Sequence, residues 1–175
     1  MQYMEKIDPS INKMDWGEGE WQHEPDKIQF LDEKTGYPCL IVRNNYGALC
    51  GYVGISPGHK HYGEDLSSYD KADSLEVHGG ITFASGCQEG NSDFGVCHLV
   101  DDGEEDNVWW IGFDCAHLGD LEPNKYGRKR SIVKPILDAA CPEFLLRNSS
   151  DQYRNIEYVK NEIKNLACQL KLCEA

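Results

Sequence analysis

No CxxC pair occurs anywhere in the 175 residues, although cysteine itself is plentiful at eight. That excludes the ligand spacing of a zinc finger or zinc ribbon. The P-loop, GxGxxG and HExxH motifs are missing too, and there is no internal repeat. No run approaches the roughly 20 apolar residues that span a bilayer. The opening MQYMEKIDPS has no apolar leader core. Basic residues are short: 17 Lys and Arg stand against 30 Asp and Glu, for a net charge of −13. Such an acid excess repels phosphate backbones and argues against non-specific nucleic-acid binding. It leaves room for a small phosphorylated ligand in a locally basic pocket, or for a basic protein partner. The expectation is a soluble cytoplasmic protein with no membrane contact.

What is present suffices for one domain with a sizeable core, since 40 % of the residues are hydrophobic. Residues 1–24 read as an N-terminal arm, polar and acidic, anchored by Trp16 and Trp21 or partly mobile. Residues 25–175 read as a single α+β domain: an antiparallel sheet of about five to seven strands, long loops, and a packed C-terminal amphipathic helix. KIQFLD, YPCLIVR and ALCGYVGI are rich in β-branched and aromatic residues, and NNYG has hairpin chemistry. SLEVHGGITFAS, VCHLVD and VWWIGFDC also read as strands. Residues 56–74 and 86–95 are loops. The prolines at 123, 135 and 142 limit residues 119–150 to a loop with at most a short helix near 136–140.

The clearest helix is at about 152–172, where Ile156, Val159, Ile163, Leu166 and Leu170 repeat at spacings of three and four. Ser149, Ser150 or Asp151 can cap it. Its stripe packs either on the sheet or on a second copy, which would make a homo-oligomer. The acidic run at 101–106 and the basic GRKR at 127–130 read as solvated loops. With no leader, the cysteines are expected to be reduced. Cys39 and Cys50 read as small buried hydrophobes.

Chemistry concentrates in VWWIGFDCAHLGD, residues 108–120. Strand alternation puts Trp109, Ile111, Phe113 and Cys115 on a core face, and Trp110, Gly112 and Asp114 on the other. His78 holds the corresponding position in its own strand, beside Gly79 and Gly80. Those glycines, with Gly112, leave open space or room for close backbone approach. His78, Asp114, His117 and Asp120 are therefore candidate ligands for a divalent ion such as Zn²⁺ or Mn²⁺. Such an ion activates water for hydrolysis, with His78, Asp114 and His117 as the catalytic candidates. A ligand pocket without metal would be lined by Arg43, His59, His78, Trp110 and Asp114. Arginine clamps phosphate or carboxylate, indole stacks on a base, and the loop that carries His59 and His61 forms a lid. Plainer roles fit the same residues: Asp114 caps the turn, His117 bonds backbone, Arg43 pairs with an acid, and Trp110 packs. Cys115 as a nucleophile, with His117 as base, is disfavoured by its place on the core face.

The stretches EPDKIQFLDEKTGYPCLIVRN, GALCGYVGISPGH, VHGGITF and VWWIGFDCAHLGD resemble a family of small phage and prophage proteins of unassigned function. The resemblance runs from about Trp21 through YRNIEYVKNEIKNLACQL. It implies a phage accessory protein in the host cytosol, with counter-defence as its setting. The function this suggests is binding of a small nucleotide-like ligand, by sequestration or cleavage. The alternatives are a metal-dependent hydrolase built on the His/Asp group, and an acidic inhibitor of a host effector protein.

Overall fold

A computed structural model describes residues 3–69, 75–87, 93–99, 107–124 and 151–174. The acidic run at 101–106, the basic run at 127–130, the helix expected near 136–140 and the candidate caps Ser149 and Ser150 lie outside the described residues. The fold is α+β: a six-stranded antiparallel sheet with one long helix packed on it. The strands are β1 (Met4–Lys6), β2 (Lys27–Leu31), β3 (Pro38–Arg43), β4 (Leu49–Ile55), β5 (Phe83–Gly86) and β6 (Trp109–Asp114). Their order across the sheet is β1-β2-β3-β4-β6-β5.

The β2–β4 meander follows from local chemistry. In the first turn the Asp32 carboxylate accepts from the Thr35 amide at 2.9 Å and its hydroxyl at 2.7 Å. In the second, Asn44 Oδ1 accepts from the Tyr46 amide at 2.9 Å and the Ala48 amide at 3.1 Å. These side-chain caps satisfy amides that the ladders leave open. β1 is supplied by the arm. Trp16 and Trp21 are buried, so the arm docks through its indoles as its composition suggested.

Both faces of the sheet are covered. On one, Ile28, Cys39, Ile41, Val53, Ile111 and Phe113 meet the helix α1 (Ile156–Leu172). Gly51 admits it, because a Cβ there would stand 2.6 Å from Phe113 and 2.9 Å from Ile163. The stripe residues Val159, Ile163, Leu166 and Leu170 are fully buried within the chain. That surface is therefore already taken up by the sheet, and a second copy would have to dock elsewhere. The helix starts later than expected because Asn155 is its cap, accepting from the Tyr158 amide at 3.0 Å. Gln152 is held before it in a parallel bridge to Asp120.

On the other face, Leu40, Val42, Cys50, Tyr52 and Trp110 form a smaller core with Phe83 and Val96 packed on it. Over its described residues, 96–99, the expected strand VCHLVD does not form. Residues 95–99 are irregular, and side chains of β2 serve as their partners. Lys27 Nζ donates to the carbonyls of Gly95 (2.8 Å) and Cys97 (2.6 Å), and Gln29 pairs with the backbone of Leu99. Cys97 is also bonded to Cys87 in a disulfide. That corrects the expectation of uniformly reduced thiols. Among the described cysteines, Cys39, Cys50, Cys115, Cys168 and Cys173 are free, and Cys39 and Cys50 are buried as expected.

SLEVHGGITFAS is not a continuous strand either. Gly79 and Gly80 have φ of +66° and +86°, so the chain turns there and only Phe83–Gly86 pairs with β6. Leu75, Val77 and Ile81 still pack on the helix-side core, while Phe83 lies on the opposite side against Tyr52. Among the described residues no helix is long and apolar enough to cross a membrane.

Candidate functional site

The turn that leaves β6 is built by its own acids. Asp114 Oδ1 accepts from the Ala116 amide at 3.0 Å, and Asp120 Oδ2 accepts from the His117 amide at 3.0 Å. Both carboxylates thus close the turn, the plainer of the two roles open to Asp114. Asp120 does more. Its backbone is pinned by the bridge to Gln152, with Leu121 N to Gln152 O at 3.0 Å and Gln152 N to Gly119 O at 2.9 Å. This pinning brings Arg154 alongside, and Arg154 Nε donates to Asp120 Oδ1 at 2.9 Å.

His78 reaches the same carboxylate from the Gly79–Gly80 turn. Its Nε2 stands 2.7 Å from Asp120 Oδ2, and its Nδ1 stands 2.9 Å from the Tyr158 hydroxyl. Its backbone amide donates to Glu162 at 2.9 Å, which fixes the turn against α1. Asp120 accepts from Nε2, and in the neutral tautomer this leaves Nδ1 to accept from the Tyr158 hydroxyl. The Arg154 guanidinium covers the Tyr158 ring at 4.7 Å. Burial raises the Asp120 carboxyl, but hydrogen bonds from Arg154, His78 and the His117 amide outweigh it and hold the group below its ordinary value. Tyr158 is shifted upward, first by burial and then by the charge of Glu162, so it stays a phenol.

The third member is His117. Its ring makes an edge contact with His78 at 5.5 Å. Its Nδ1 lies 3.8 Å from both Asp114 Oδ1 and Asp120 Oδ2, too far for a hydrogen bond. That nitrogen is shielded from solvent and has no hydrogen-bond partner. The ring is seated on Gly79, where a Cβ would stand 2.1 Å from His117 Cε1. One ligand atom from each of His78, His117 and Asp120 lies within 4.8 Å of the others. Two imidazoles and a carboxylate are ligand types that a divalent metal site uses. The outer contacts also fit: Tyr158 orients His78 and Arg154 orients Asp120.

The structure does not bring the other candidates here. Arg43 is buried and donates to Asp26 Oδ1 (2.7 Å), Glu24 Oε2 (3.2 Å), the Gly47 carbonyl (2.9 Å), the Pro25 carbonyl (3.3 Å) and the Tyr153 hydroxyl (2.8 Å). With Lys13, 2.7 Å from Asp26, it locks the arm to the sheet. Trp110 is 0 % exposed and lies in the second core, edge-on to His98 at 5.8 Å. His59 is buried: Nδ1 accepts from the His61 amide at 3.1 Å and Nε2 bonds the Leu170 carbonyl at 3.0 Å, so it closes the end of α1. The open space expected at the glycines is found at Gly80, where a Cβ would have nothing within 4 Å, but at Gly79 the His117 ring fills it and at Gly112 the Tyr52 ring and the Gly51 backbone do. Cys115 lies in the helix-side core, where burial first and Asp120 next push its thiol upward, away from nucleophilic use.

Tyr158, Arg154 and Glu162 were not legible as site residues. Tyr158 and Glu162 do stand four apart on a flank of the apolar stripe, which marks one helix face but names no partner for it. Comparison with protein-family models, with curated proteins and with solved structures gives no match.

Proposed function

We propose that this chain is a metal-dependent hydrolase that holds one divalent ion, Zn²⁺ or Mn²⁺, through His78, His117 and Asp120. The observation that supports the reading is the Nδ1 of His117, shielded, without a hydrogen-bond partner, and facing two ligand-type groups. A buried polar atom left unbonded costs about 1–3 kcal/mol, and a metal ligand has no such deficit. When bound, the ion supplies a polarised water at neutral pH. The chain's own part is orientation and proton handling. A metal at His78 Nε2 would need the neutral ring's single proton on Nδ1, from where it would donate to the Tyr158 hydroxyl, a change of tautomer with no net proton released. Asp114, on the solvent side of His117, is the second carboxylate available to guide a water. The substrate class we assign is a small nucleotide-like ester. The acidic surface keeps long polyanions away, and a phage counter-defence setting is consistent with this reading.

Zinc titration against a chromophoric chelator tests it. The expected result is one ion per chain. His117→Ala and Asp120→Asn should lose affinity by at least about tenfold while remaining folded. Turnover of a 4-nitrophenyl phosphate ester panel should stop with chelator and return with metal. Full zinc affinity in well-folded His117→Ala would overturn the site, and tight binding without any ester turnover would overturn the hydrolase.

A further inference from the structure

α1 has a third face besides its core stripe and its Tyr158–Glu162 flank. Lys160, Lys164 and Cys168 recur every four residues on the far side, toward β1 and β2. There they line a cavity of about 600 Å³ together with Tyr3, Phe30 and Lys34. Lys160 Nζ stands 5.8 Å from the Tyr3 ring centre and 5.9 Å from that of Phe30. The Tyr3 hydroxyl donates to Glu5, which sets the angle of that ring.

The charge pattern here runs against the rest of the molecule. The chain has 30 acids to 17 Lys and Arg, and Lys6, Lys13, Arg43, Arg154 and Lys171 all sit in ion pairs. Lys34, Lys160 and Lys164 make no ion pair among the described residues, although Asp32 and Glu33 also border the cavity. The Asp32 carboxylate is already committed to Thr35. Three ammonium groups without an ion pair among the described residues and two aromatic rings therefore line one space, with Asp32 and Glu33 at its border.

We propose that this cleft binds a small ligand joining a flat aromatic ring to a phosphate, of the nucleoside monophosphate kind. The ammonium groups supply point charges for the phosphate oxygens. Phe30 and Tyr3 supply faces on which a base stacks. Neither part suffices alone: the −13 net charge opposes a bare anion, and single-ring stacking in water is weak. The site lies on the opposite flank of α1 from His78 and does not depend on the metal.

Calorimetric titration of the full chain with adenosine 5′-monophosphate, adenosine and inorganic phosphate tests this. The expected result is saturable binding of the monophosphate with Kd below about 1 mM, weakening as salt rises. Adenosine and phosphate should each bind at least about tenfold more weakly. Lys164→Glu, at an exposed position, should lose at least about tenfold in affinity with an unchanged melting temperature. Phe30→Leu should lose affinity for the monophosphate while zinc binding is retained. Absence of monophosphate binding up to about 1 mM, or wild-type binding in folded Lys164→Glu and Lys160→Met, would overturn the proposal. Equal affinity for adenosine would overturn the phosphate role.

Discussion

A Cβ on Gly79 would stand 2.1 Å from Cε1 of His117 and 2.4 Å from its Nδ1. The imidazole thus occupies the volume that any larger residue at 79 would claim, and Gly79 itself has φ of +66°, a region costly for L-residues. Gly79→Ala should destabilise the fold by about 2 kcal/mol or more and should weaken zinc binding by displacing the ring. The double variant Gly79→Ala/His117→Ala should be more stable than the sum of the singles, because one clash is removed. Urea unfolding of all four proteins decides this. Strict additivity would show that the ring does not rest on the glycine.

Arg43 is expected to matter for folding and not for binding. Its side chain is 0 % exposed and faces Asp26 and Glu24. Arg43→Met leaves Glu24 without its cation and Asp26 with Lys13 alone, and should cost about 3–5 kcal/mol. Zinc affinity and monophosphate affinity of the folded fraction should not change. Denaturant midpoints and titrations on the same samples separate the two effects, and a collapse of affinity at unchanged stability would put Arg43 in a binding site.

The buried thiols predict an alkaline weakness. Burial first, then Asp32 at Cys39 and Asp114 at Cys50, push each thiol up to about 12. An unfolded cysteine titrates at about 8.5. Between these values the folded state keeps the proton that the unfolded state has lost. The contribution to stability is therefore complete below about pH 8.5 and drains away as pH rises toward 12. The double variant Cys39→Ala/Cys50→Ala should show a shallower fall of unfolding free energy across that window. An unchanged slope would show that the thiols do not contribute.

The Cys87–Cys97 bond closes a sequence separation of 10 residues. Loops of that length contribute about 2–3 kcal/mol through the unfolded state. Reduction, or Cys87→Ser/Cys97→Ser, should lower the melting temperature accordingly. It should also loosen the 95–99 segment over Trp110, shifting indole emission to the red. A peptide map without reductant should join the two cysteines, and separate peptides would contradict the bond.

The sequence revealed the sheet and helix where each residue's preference and its burial agree. KIQFL, PCLIVR and LCGYVGI are apolar and β-branched because both faces of the sheet are covered, and Val159, Ile163, Leu166 and Leu170 keep helical spacing because one face is. The strand β1, MEK, carries no apolar signal: an edge strand held by backbone pairing to β2 needs none. Alternation misled at His78, because the positive φ of Gly79 turns the chain before the pattern can form a ladder. It also misled at Trp110. The polar-looking face of β6 lies under a segment held by Lys27 and Gln29, and no local pattern announces contacts 70 residues apart. His78, His117 and Asp120 were recognisable as ligand types in a tight turn. Their outer partners Tyr158 and Arg154 were not, since the Asp120–Gln152 bridge that delivers them is made by backbone atoms alone.

That bridge also separates geometry from chain length. Gly119 and Leu121 are stitched to Gln152 by two backbone hydrogen bonds, so the sequence between them departs from and returns to nearly one point. A reporter domain grafted between 124 and 151 would start four residues after Asp120 and finish one residue before its bridge partner Gln152. It would give a genetically encoded readout of whatever occupies the His78–His117–Asp120 cluster.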